Sequence, residues 1–82
     1  MFFLIEYDRP KTKLVQFRKF HDSEREAARA ARLQLELKLN REGVKDHEVV
    51  ILEAPNEEII KHTHGRYFKT PDELVNEWAA KQ

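Results

Sequence analysis

Cysteine is missing from the chain, so disulfide frameworks and thiolate metal sites are excluded, and nothing points to an oxidising compartment. Glycine occurs only at Gly43 and Gly65, too few and too far apart for a glycine-rich phosphate loop. Ser23 is the sole serine, and its sequence context suits a helix cap better than a nucleophile. No stretch approaches the roughly 20 apolar residues that a membrane span needs. The opening Met1-Phe2-Phe3-Leu4-Ile5 meets Glu6 at once, short of the about 7–15 apolar residues of a secretory leader. A cytoplasmic location is the expectation. Neither charge sign is in excess, since 15 basic residues balance 15 acidic ones, which disfavours general nucleic-acid binding driven by phosphate neutralisation.

What is abundant is charge itself. Asp, Glu, Lys and Arg make up 37% of 82 residues, against roughly 25% in an average globular chain, so most of the surface must be charged and wet. The length suits one domain with one core. Charge is unevenly spread: residues 1–20 carry a net of +3 and residues 47–82 a net of −3. The simplest reading is that the two ends face each other in the fold.

The expected elements follow from period and punctuation. Phe2–Tyr7 is rich in β-formers, and Asp8-Arg9-Pro10-Lys11 is a turn. Lys13–Phe20 is a second strand, with Val15 and Phe17 on one face and Leu14, Gln16 and Arg18 on the other. Ser23 and Glu26 match a capping box, and the helix it opens runs to about Glu42, with Gly43 as its left-handed terminator. Leu33, Leu35, Leu37 and Leu39 alternate at strand period, but helix formers and caps favour helix. His47–Glu53 is a third strand. Asn56 caps a short helix from Glu57 to about His64, and Thr70-Pro71-Asp72-Glu73 opens another.

The fold class is therefore α+β, ββαβα with a further C-terminal helix. A right-handed crossover puts the third strand beside the first, so the antiparallel three-stranded sheet has the order 2-1-3, with the long helix packed on one face. The expected core includes Phe3, Ile5, Val15, Phe17, Ala31, Leu35, Leu39 and Ile51. Residues 1–69 form the core domain. Residues 70–82 form a helix whose stripe of Leu74, Val75 and Trp78 docks on the core or on a partner.

Two features of the long helix bear on function. Ala28, Ala31, Leu35 and Leu39 make one apolar stripe for the sheet, and Ala30, Leu33 and Leu37 make a second on nearly the opposite side, to be covered either by another helix of the same chain or by a partner or second copy. The sheet, too, reads as apolar on both faces, so either the last helix or another subunit covers the second one. Together these features point to a non-catalytic protein-interaction module whose partner is another protein or a second copy in a homodimer, with self-association the leading reading and Ala30, Leu33, Leu37, Leu74 and Trp78 the candidate interface.

The alternative is a nucleic-acid or anion binder. It would use the helix line Arg25, Arg29 and Arg32 with the basic and aromatic connector Arg66, Tyr67 and Lys69. Against it, Glu26 with Arg29 and Arg32 with Glu36 are spaced for local pairing, and Tyr67 and Phe68 suit a core anchor. His62 and His64 are about 200° apart on a helix and do not share a metal. The acid pairs Glu57-Glu58 and Asp72-Glu73 both sit at helix starts, leaving no catalytic constellation. No enzyme activity, metal or cofactor is expected.

Overall fold

The computed structural model describes residues 1–68. The strands are β1 (Phe2–Asp8), β2 (Lys13–Phe20) and β3 (His47–Glu53), and the helices are α1 (Arg25–Arg41) and α2 (Glu57–Thr63). One 3-10 turn, Asp22–Glu24, precedes α1, and another, Gly65–Tyr67, follows α2. The sheet has the order β2-β1-β3. β1 runs antiparallel to both neighbours, from Phe2↔Phe20 to Asp8↔Lys13 on one side and from Phe2↔Glu53 to Asp8↔His47 on the other. Burial explains why β1 is central: Phe3, Leu4, Ile5, Glu6 and Tyr7 are all buried. The expected topology is the one observed. No helix among the described residues is long and apolar enough to cross a membrane.

Successive side chains of β1 point to opposite faces, and each face has its own cover. On one face Leu4 and Phe20 pack with Ala28 of α1, flanked by Phe2, Ala31, Leu35, Val49 and Ile51. On the other, Phe3 packs with Ala54 and with Ile60 of α2, while Ile5 and Tyr7 pack with Tyr67. Phe3 stacks on Phe17 at 5.5 Å, and Phe17 meets the ring of Phe68 edge-on at 5.1 Å. Phe3 and Ile5 therefore lie across the sheet from Ala31 and Leu35, so the expected core is two half-cores sharing β1. The second face is covered by α2 and the turn after it, whereas the sequence points to the last helix or another subunit. A helix of seven residues does not persist alone in water, so Ile60, fully buried, is what holds α2 in place.

The position of Val15 departs from expectation. Glu6 pairs with Gln16 and Tyr7 with Leu14, so Val15 is the extra residue of a β-bulge. The bulge reverses the in-out parity of the strand, so Leu14 joins Phe17 on the α2 side, and Val15 is 48% exposed. The turn before it holds as expected, with Asp8 Oδ1 accepting from the Lys11 backbone N–H at 3.1 Å. The Thr12 backbone takes a left-handed φ of 52°, an uncommon conformation for a β-branched residue.

The start of α1 also differs from expectation. The Glu24 carboxylate accepts from the His21 backbone N–H at 2.8 Å, so the reciprocal pair spans the 3-10 turn and not Ser23 and Glu26. The other end is as expected. Gly43 has φ 72°, its N–H donates to Asn40, and the Val44 N–H donates to Leu39, the two bonds of a Schellman terminator. Asn56 caps α2 by accepting from the Ile59 N–H at 2.8 Å.

Candidate interaction surface

The outer crest of α1 carries the second apolar stripe. Ala30 is exposed, and Leu33 and Leu37 are 57% and 50% exposed. Helical spacing requires this. With Ala28, Ala31, Leu35 and Leu39 turned to the sheet, residues about 140–200° further round face outward. The other two members of the expected interface, Leu74 and Trp78, lie outside the described residues, as does Lys69.

The arginine line flanks α1 on its β3 side. Arg25, Arg29 and Arg32 border a cleft of about 190 Å³ with Phe2, Ala28 and Ile51. Arg29 is paired with Glu26 at 3.6 Å, and Arg32 Nε donates to Glu36 at 2.9 Å. Both are exposed local pairs of small energetic weight. Arg66 is not part of this line. Its Nη2 donates to both oxygens of Glu48, at 3.1 and 3.0 Å, and to the Tyr67 hydroxyl at 2.8 Å. The Tyr67 hydroxyl in turn donates to Glu48 at 2.9 Å, and its buried ring meets Tyr7 edge-on at 5.2 Å. The Tyr67 bond raises the pKa of Arg66. Burial pushes the Tyr67 phenol up, with the Arg66 hydrogen bond opposing. Glu48 faces the α2 side with Tyr7, whereas the helix arginines sit on the α1 side, so the sheet separates the two halves of the expected anion site.

Two features escaped sequence reasoning. The first is a groove of about 500 Å³ between α1 and β2, floored by Leu4, Ala31 and Leu35 and bordered by Gln16, Arg18, Gln34, Leu37, Lys38 and Arg41. It exists because α1 sits toward β3. The β3 positions facing the helix are Val49 and Ile51, whereas the corresponding β2 positions are Gln16 and Arg18, which offer it no apolar seat. Those two polar residues on an otherwise β-rich strand were the available signal. No carboxylate lines the groove, and Arg18, Lys38 and Arg41 form no ion pair among the described residues.

The second is a buried carboxylate. Glu6, 6% exposed in the middle of β1, meets His47 Nδ1 at 2.6 Å, and His47 Nε2 lies 3.4 Å from Asp8. The imidazole thus joins β3 to β1 and gives the buried Glu6 its partner. The available signal was Glu6 itself, the one charged residue within the run Phe2–Tyr7. No group of three or more His, Cys, Asp or Glu side chains is arranged to hold a metal ion among the described residues.

Comparison with known proteins adds no homologue: no protein-family model matches the chain, and no curated protein or solved structure matches it significantly.

Proposed function

We propose that the chain is a non-catalytic protein-interaction module, cytoplasmic, that self-associates through the outer crest of α1. The exposed Ala30, Leu33 and Leu37 carry this reading, because with Glu26 and Arg41 beyond them they form a self-complementary strip. Antiparallel pairing of two copies about a two-fold axis beside Leu33 sets Ala30 against Leu37 and Glu26 against Arg41. A small residue then faces a large one, and each charge faces its opposite, as an isologous interface requires. The absence of cysteine is compatible with a reducing compartment. The anion-binding alternative has less support, since Arg29, Arg32 and Arg66 already hold carboxylates.

Light scattering across a concentration series tests the reading. The parent chain is expected to pass from monomer to dimer, and Leu33→Glu to remain monomeric with an unchanged helical spectrum, because that side chain is solvated in the monomer. Apolar association survives raised ionic strength, whereas phosphate binding falls steeply with it. A parent chain that stays strictly monomeric at high concentration refutes self-association.

A further inference from the structure

The groove between α1 and β2 has an apolar floor, a basic border and no described element over it. We infer that its occupant is the chain's own C-terminal segment, residues 71–81, seated as a helix with Leu74 and Trp78 on the floor. Three observations agree on this. The first is charge. The border carries Arg18, Lys38 and Arg41 and no carboxylate, whereas the segment carries Asp72, Glu73 and Glu77 against Lys81 alone. At 100° per residue Glu73 and Glu77 fall along one edge of the Leu74/Trp78 stripe, so burying the leucine and tryptophan brings those two carboxylates to a border.

Length is the second. Along α1 the groove runs from Ala31 to Arg41, about 15 Å at helical rise, and a helix over 71–81 is about 16 Å long. The third is the point of departure. The described chain ends at Phe68, whose ring packs on Phe17 of β2. The neighbours of Phe17, Gln16 and Arg18, point to the opposite face and border the groove. Among the described residues β2 is an edge strand, and the groove opens along it on the opposite face.

This inference does not rest on self-association, and it is tested in a chain that cannot dimerise through the crest. Trp78 is the only tryptophan, so its fluorescence reports the segment alone. In the full-length Leu33→Glu chain, Trp78 emission is expected to be blue-shifted and poorly quenched by acrylamide, with no dependence on protein concentration. Arg18→Glu with Lys38→Glu should shift the emission to that of exposed tryptophan and raise the quenching constant several-fold. Adding Glu73→Lys with Glu77→Lys should restore the shielding. Arg18→Gln with Lys38→Gln gives the same readout at smaller amplitude if the reversal compromises folding. Exposed emission in the Leu33→Glu chain overturns the inference, as does shielding indifferent to both charge pairs. Shielding that appears only as concentration rises overturns it in favour of a second copy as occupant.

Discussion

The most demanding residue in the structure is Glu6. A carboxylate buried in the central strand is tolerated because His47 stands 2.6 Å away. Removing the imidazole leaves that carboxylate without its partner, which costs on the order of 1–3 kcal/mol, more than the lost pair itself contributes. His47→Ala is therefore expected to lower the free energy of urea unfolding by that amount. The double variant Glu6→Leu with His47→Leu should recover most of the loss, because no buried charge remains to be satisfied. A double variant as unstable as the single one would show that the pair is not what His47 supplies.

Tyr67 makes a second prediction at this scale, in pH. Burial holds its phenol above the ordinary value of about 10, so the folded chain keeps a proton that the unfolded chain gives up. The resulting stability is fully present below about pH 10 and is lost as pH rises through the folded value. Urea midpoints measured across this alkaline range should fall less steeply for Tyr67→Phe than for the parent. Other groups titrating there cancel in the comparison. Parallel alkaline slopes in the two chains would contradict a protonated, buried phenol.

Among the elements, helix ends read from sequence with uneven success, and the reason is locality. Gly43 and Asn56 stand where expected because each solves a problem within its own turn: a left-handed φ of 72° in one case and an orphan N–H in the other. Gly43→Ala should cost about 1 kcal/mol for forcing a Cβ into that conformation, although open space surrounds the position. Asn56→Ala should cost a similar amount through the lost cap, about 1 kcal/mol. Thermal melts of both variants check these figures, and a neutral Gly43→Ala would mean that the terminator reorganises freely.

Ser23 and Val15 depart from expectation for the converse reason. Their roles depend on neighbours that local spacing does not reveal: a 3-10 turn that moves the reciprocal cap to His21 and Glu24, and a bulge fixed by pairing with β1. The double stripe of α1 was legible residue by residue from its period. The groove beside α1 was not, because it follows from the lateral position of the helix over the sheet, which Gln16 and Arg18 decide only once the strand order is known.

For the molecule as a whole, the central fact is that β1 serves two half-cores. Leu4 belongs to the α1 side, and Phe3, Ile5 and Tyr7 to the α2 side, within one continuous strand. Neither side has a private scaffold, so losing one cover should weaken both and leave no folded half behind. The sharpest probe is Ile60, fully buried and held on the shorter of the two described α-helices. Ile60→Ala removes about 2–5 kcal/mol by the usual large-to-small cost, a large share of what so small a domain has. If β1 couples the two faces, the variant should unfold in a single transition at lower temperature. Far-ultraviolet circular dichroism, dominated by α1, and near-ultraviolet signals of Tyr7 and Tyr67 on the opposite face should then coincide. If the faces were independent, the tyrosine signal would melt first while the α1 signal held its parental midpoint. Leu35→Ala, on the α1 side, provides the mirror test: it too should move both signals together, by less, because Leu35 is only half-buried.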